Sequence, residues 1–95
     1  MVLGKVIGTV VCSLKNDEIS GPRYLIVEKC NHYGIRKGEH IVAIDLVGAG
    51  NEEMVIAVEG SSARETERTI NKPVDAAIVG IVDMIDEYDK VVYQK

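Results

Sequence analysis

Asp45-Leu46-Val47-Gly48-Ala49-Gly50-Asn51 and Gly60-Ser61-Ser62-Ala63-Arg64 stand on either side of one short apolar strand pattern, Glu53 to Glu59. Glycine is used where φ must be positive or where another backbone has to come close, so two such elements this near each other mark a crowded meeting point. Gly48-Ala49-Gly50 has a superficial likeness to a phosphate loop. A dinucleotide fingerprint needs a third glycine with a helix directly after it. Here a strand follows, and the stretch reads as a tight turn.

Outward from that turn the chain reads as β-structure. Glu39 to Val47 precedes it as a strand, almost continuously apolar from Ile41 to Ile44, and Ala76 to Val82 is a further apolar strand. Val2 to Lys15 alternates, with Val2, Gly4, Val6, Gly8, Val10, Cys12 and Leu14 forming a core face. The opposite face mixes Leu3, Ile7 and Val11 with Lys5, Thr9, Ser13 and Lys15. That is too apolar for free solvent, so a second surface covers part of it. A straight strand of this length, at roughly 3.3 Å per residue, overruns a small domain. Gly4 and Gly8 offer places to bend.

Asn16-Asp17-Glu18 and Ser20-Gly21-Pro22 are turn material leading to a second strand, Arg23 to Cys30, paired with the first as a hairpin. Asn31 to Gly38 has little periodicity and reads as a loop. Ser62-Ala63-Arg64-Glu65 has the capping-box pattern, which starts a short helix that Asn71 and Pro73 stop. With only Ala63 and Ile70 apolar, this helix has no buried stripe and sits in solvent or at an interface. Val91-Val92-Tyr93 adds a short edge strand. The expected fold is all-β with one short helix: a small five-stranded OB-like β-barrel, antiparallel and closed or nearly so, formed by residues 1–95 as one domain.

Hydrophobic residues make up 46% of the chain, yet there is no Trp or Phe, so the apolar side chains are almost all aliphatic. This is more β-branched surface than so small a sheet hides, and some of it is left for a neighbouring subunit. A net charge of -4 disfavours non-specific nucleic-acid binding, which needs Lys and Arg to neutralise phosphates. The amino terminus opens directly on a strand pattern and no run is long enough to span a membrane, so a cytoplasmic protein is expected. Cys12 and Cys30 are then expected to remain thiols.

No constellation of reactive side chains carries a chemistry. Ser61 and Ser62 have no base placed by a recognisable motif, although His32 and His40 are present, and a helix cap already accounts for Ser62. Cys30 and His32, with Cys12 or His40, match none of the paired zinc spacings. Asp75, Asp83 and Asp86 suit turn hydrogen bonding better than paired-carboxylate catalysis. Tyr24, Tyr33, Tyr88 and Tyr93 are scattered and build no stacking platform on a positive groove. No catalytic residue, cofactor or metal is expected. Arg64 differs, being an arginine in the first turn of a polar helix and suited to a salt bridge or a contact across subunits.

Four blocks resemble one family in its own order: Leu3-Gly4-Lys5-Val6-Ile7-Gly8-Thr9-Val10-Val11, Val42-Ala43-Ile44-Asp45-Leu46-Val47-Gly48-Ala49-Gly50, Gly60-Ser61-Ser62-Ala63-Arg64 and Pro73-Val74-Asp75-Ala76-Ala77-Ile78-Val79-Gly80-Ile81-Val82-Asp83. The family is EutN/CcmL, the pentameric vertex proteins of bacterial microcompartment shells, and the likeness covers nearly the whole chain. It implies an OB-like barrel that assembles into a homopentamer around a central opening. Such a pentamer closes the corners of a shell whose facets are tiled by hexameric shell proteins, and it is structural, with neither enzyme activity nor cofactor. The family often has glycine where this chain has Glu52. On this basis Gly48, Ala49, Gly50, Ser61, Ser62 and Arg64 are expected at the subunit interface or lining the opening. The alternative is a monomeric OB-like barrel that binds a small ligand or nucleic acid.

Overall fold

The computed structural model describes residues 1–11, 23–60, 63 and 75–95. Seven strands lie among them: β1 (Val2–Val10), β2 (Tyr24–Cys30), β3 (Arg36–Asp45), β4 (Met54–Glu59), β5 (Ala76–Ile81), β6 (Met84–Glu87) and β7 (Lys90–Gln94). The first five close into a barrel in the order β1-β2-β3-β5-β4, and β6 and β7 form a separate two-stranded sheet. The expected helix from Ser62, its stop at Asn71 and Pro73, the turn from Asn16 to Pro22 and the core position of Cys12 lie outside the described residues.

The barrel departs from the antiparallel expectation at one seam. β1 with β2, β1 with β4, β2 with β3 and β4 with β5 are antiparallel, whereas β3 and β5 run parallel. Counting explains why. Strand direction can alternate all the way round a closed ring only when the number of strands is even, so a five-stranded barrel must contain a parallel neighbour pair. The seam is short, pairing only Ile44 with Ala77 and Asp45 with Ile78.

Bulges supply the curvature that closure requires. In β1 the register shifts between Val6 and Gly8, and in β5 Val79 is the extra residue opposite Ile56 and Ala57. The first bulge changes the facing pattern read from the sequence. Val6 pairs with buried Val27, but beyond the bulge Gly8 and Val10 pair with half-buried Ile26 and Tyr24, while Thr9 is the partner of buried Leu25. The even-numbered face is therefore not continuous. Gly4 serves a different end from bending, because a Cβ built there would lie 2.4 Å from Val27 Cγ1 and 2.9 Å from the Glu28 carbonyl oxygen.

The barrel interior is filled by Val6, Leu25, Val27, Ala43, Ala49, Val55, Ala76 and Ile78, with Ile41 and Ile81 packed against them. Two further clusters lie outside it. Ile44 and Ala77 pack with Ala63, with Tyr24, Leu46 and Val58 around them. The other cluster answers the expectation that part of the outer face of the first strand is covered: Cys30, Met54 and Val82 pack with Leu3 and Ile56 of the barrel and with Ile85 and Tyr93 of the β6–β7 hairpin. The hairpin is thus a lid on the outer face of β1 and β4, where the sequence indicated only an edge strand. The expected loop from Asn31 to Gly38 is also shorter, since β3 begins at Arg36. Asn31 Oδ1 accepts the amides of Tyr33 and Ile35 at 2.9 and 3.0 Å and tightens the remaining turn.

Gly4→Ala is expected to destabilise the barrel by about 2 kcal/mol, because the methyl group meets backbone that cannot move aside without breaking the β1–β2 ladder. Urea unfolding measures this directly, and an unchanged midpoint would contradict the close approach.

Candidate functional site

The turn between β3 and β4 is organised by one side chain. Asp45 ends β3 with its side chain almost wholly buried, and its Oδ1 accepts the amides of Val47, Gly48 and Ala49 at 3.1, 3.1 and 3.3 Å. Oδ2 accepts a second contact from the Ala49 amide at 3.1 Å and faces Arg23 Nη1 at 3.5 Å. A buried carboxylate is tolerable only when its lone pairs are filled, and here backbone donors fill them. Gly48 takes φ +75° at the apex. The amide of Gly50 donates to Glu53 Oε1 at 2.6 Å, and Glu53 Oε2 lies 2.8 Å from Lys95 Nζ. Lys95 foremost, then the Gly50 amide, lowers the Glu53 carboxyl below its ordinary value, and Glu53 in turn raises Lys95. This pair ties the turn to the chain following the β6–β7 hairpin.

Glu52, where the resembled family often has glycine, adopts φ +72°. Its amide donates to the Val6 carbonyl at 2.8 Å, so the conformation is held by the barrel. The side chain is exposed and its ion pair with Arg36 spans 3.5 Å.

The expected site residues are divided by this geometry. Gly48 is exposed and Gly50 half-buried, both in the Asp45 turn, whereas Ala49 places its methyl in the barrel interior and serves the chain's own core. Gly60 lies at the other end of β4, with φ +69° and its amide donating to the Asp75 carbonyl at 2.7 Å. Among the described residues a Cβ at Gly48 or at Gly60 would meet nothing within 4 Å, whereas one at Gly50 would lie 3.4 Å from Glu53 Oε1. Ser61, Ser62 and Arg64 lie outside the described residues. Beside Gly60 a shallow cleft of about 450 Å³ is lined by Ile41, Val42, Glu59, Gly60, Asp75 and Ala76.

Among the described residues, Cys30, His32 and Tyr33 are occupied structurally. Cys30 is buried beneath the hairpin, and burial raises its thiol pKa. His32 Nε2 contacts Glu87 Oε2, and the Tyr33 hydroxyl donates to Glu87 Oε1 at 3.2 Å, which raises the tyrosine. These two contacts fasten the β2–β3 turn to the end of β6. Tyr24 and Tyr93 belong to two different packed clusters, and Tyr33 and Tyr88 are exposed elsewhere. Among the described residues they form no common stacking face. Asp45 is the residue that sequence reasoning passed over as a strand boundary. An aspartate followed within a few residues by a glycine turn is the signal that pointed to it.

Asp45→Ala is expected to cost about 3 kcal/mol, because several backbone amides lose a charged acceptor in a site closed to water. Urea unfolding gives the magnitude, and amide exchange gives the location, with protection lost first at Val47, Gly48 and Ala49. Glu52→Gly should act oppositely, raising stability by about 1 kcal/mol as the left-handed strain is relieved, less the small worth of an exposed ion pair. A denaturation midpoint that stays put or falls would contradict that strain.

Comparison with known proteins places this geometry. Residues 1–83 match the family described as ethanolamine utilisation protein EutN/carboxysome. The bacterial microcompartment shell vertex protein GrpN of Rhodospirillum rubrum is 48% identical over 86 residues, which is 90% of this chain and 97% of GrpN. Its structure, described as a pentameric microcompartment shell protein, covers 92% of this chain and 99% of its own with a TM-score of 0.83. The microcompartment shell vertex protein EutN of Salmonella typhimurium is 40% identical over 95 residues, 100% of this chain and 96% of EutN. The structure of CcmL from Gloeobacter violaceus superposes with a TM-score of 0.94 at 36% identity, covering 100% of this chain and 98% of its own.

Proposed function

The chain belongs to the EutN/CcmL family, and from that premise we propose that it is a structural shell protein of a bacterial microcompartment, forming homopentamers that cap the vertices of the shell in the cytoplasm. The observation that carries this is the end-to-end match to shell vertex proteins, in sequence and in barrel geometry, with one of the matched structures described as pentameric. The chemistry of the described residues agrees, since the buried carboxylate of Asp45, the Cys30 thiol and His32 are engaged in holding the fold. The relatives are shell proteins and not enzymes.

The finer parts of the proposal concern contacts. Hexameric shell proteins are the neighbours that a five-fold unit requires where flat facets meet, because five-fold symmetry introduces the curvature that six-fold tiling lacks. Gly48 and Gly50, with Ser61, Ser62 and Arg64, are proposed at the subunit boundary or around the opening. Gly48 supports this by being exposed, with no described atom within 4 Å of where a Cβ would stand. Arginine supports it by its frequency among residues that anchor interfaces.

Native mass spectrometry tests both levels. The wild-type chain should appear at five times its 10.4 kDa mass, and a stable monomer at micromolar concentration would overturn the vertex role. Arg64→Ala should release smaller species at the same concentration while the unfolding midpoint of the dissociated chain barely moves. A full pentamer with a lowered midpoint would instead make Arg64 a residue of the fold.

A further inference from the structure

A ring with an odd number of identical subunits cannot be built from one self-complementary patch, because such a patch joins copies in pairs and stops. It needs two different patches on each copy, each fitting the other. The described surface offers two candidates on separate parts of the barrel.

The first is the outer face of β1, β2 and β3. Strand pairing puts Gly8, Ile26 and Val42 in one row across the three strands. Ile26 Cδ1 lies 3.7 Å from where a Cβ on Gly8 would stand, so the isoleucine covers bare backbone, and Val42 beside it is 51% exposed. The row on one side, Lys5, Glu28 and His40, is polar, and Glu28 is already matched within the chain by Arg36 at 3.7 Å and His40 at 3.9 Å. The row on the other side ends in Ile44, which is buried in the cluster with Ala63. An apolar centre is thus bounded by a polar rim on one flank and by packed structure on the other, the usual anatomy of a contact surface.

The second patch is on β5. Val79, the bulged residue, is 37% exposed, and Gly80 follows it. Among the described residues nothing requires glycine at Gly80: its φ is not positive and a Cβ there would meet none of them within 4 Å. Glycine in a strand weakens it, so its presence points to close approach by something else. Val47 and Gly48 lie alongside, because Leu46 donates its amide to the Ile78 carbonyl at 3.3 Å.

In the closed order β1-β2-β3-β5-β4, the first patch centres on β2 and the second on β5; β3 and β5 are neighbours, and the register Ile44 with Ala77 and Asp45 with Ile78 sets Val42 before the seam and Val79 after it. Exposed valine marks both, Val42 on the first and Val47 and Val79 on the second, and the second adds the bare backbone of Gly48 and Gly80. We infer that neighbouring copies meet head to tail, the Ile26–Val42 face of one seating against the Val79–Gly80 strand of the next. The inference rests on the pentamer proposed above. It also brings the two glycine elements together, since Gly60 borders the cleft that Val42 lines and Gly48 flanks Val79. They stand at opposite ends of β4 within a copy and become neighbours between copies.

A mixing experiment decides it. Val42→Lys damages only the first patch and Gly80→Tyr only the second; Val42 is half exposed and no described atom lies within 4 Å of a Cβ at Gly80, so the barrel should retain its circular dichroism and melting midpoint. Val79→Asp replaces Gly80→Tyr if the latter fails to fold. Each variant alone should be monomeric where the wild type forms rings, the affinity of the contact falling by about 30-fold or more. Mixed one to one, the two should form heterodimers and nothing larger, because each pair has one intact contact and two damaged ends. Either variant remaining pentameric would overturn the inference, as would a mixture that forms no dimer at the highest concentration where both stay monomeric. The wild-type mass keeps the two levels apart: a monomeric wild type removes the vertex role itself, whereas a pentameric wild type with unaffected variants removes only this contact.

Discussion

Five strands cannot alternate in direction around a closed barrel, and this chain resolves the mismatch at the short parallel seam between β3 and β5. Two paired residues on each strand supply little backbone bonding, so the chain leaving β3 would carry unpaired amides into a crowded place. Asp45 prevents this. Its carboxylate, at the last position of the seam, takes up the amides of Val47, Gly48 and Ala49, and in doing so turns the chain sharply enough for Ala49 to drop its methyl group into the core. The cost of burying the charge is offset by those donors and by Arg23. Closure of the barrel, the shape of the turn and the start of β4 all depend on that one anion.

Aliphatic surface in excess of what a small barrel can bury is disposed of in stages. The outer face of β1 and β4 is covered by the β6–β7 hairpin through Ile85 and Tyr93, and the hairpin is fastened at the Lys95–Glu53 pair and through Glu87 to His32 and Tyr33. Ile44 and Ala77 are covered with Ala63. Among the described residues, exposed apolar side chains on the barrel include Val42 on one side and Val47 and Val79 on another, besides Ile7, Val11 and Ile35. In a chain belonging to a family with pentameric members, two separated apolar areas are the economical arrangement for a ring, since each copy must both offer and accept a contact. The hairpin takes no part in either area, and it follows residue 83, the last one matched by the family.

The strands were legible because alternation and apolar runs are local: β2, β4 and β5 fall within a residue of where the side-chain pattern puts them. The β6–β7 hairpin was obscured because its turn, Tyr88-Asp89, takes two positive φ values without glycine, and because acidic residues interrupt β6. The bulge in β1 escaped for a related reason. A period-two pattern read from Val2 onward continues in the sequence through Gly8 and Val10, whereas the backbone inserts one residue and exchanges the faces. The candidate site was half legible. Gly48 and Gly60 were found from composition, but their common feature is positive φ and not crowding within the chain.

The sequence by itself determined that this is a β-barrel of the EutN/CcmL kind, since the alternation, the glycine turns and the blocks that carry the resemblance are all properties of neighbouring residues. Tertiary structure alone decided which strands meet in parallel, that Asp45 holds the turn, that the hairpin lies over Leu3 and Ile56, and that no described atom lies within 4 Å of a Cβ at Gly80. The division has a physical cause. Local conformation follows from side-chain chemistry at short range, whereas the partner of an amide, a strand edge or a bare glycine is chosen by closure of the whole barrel.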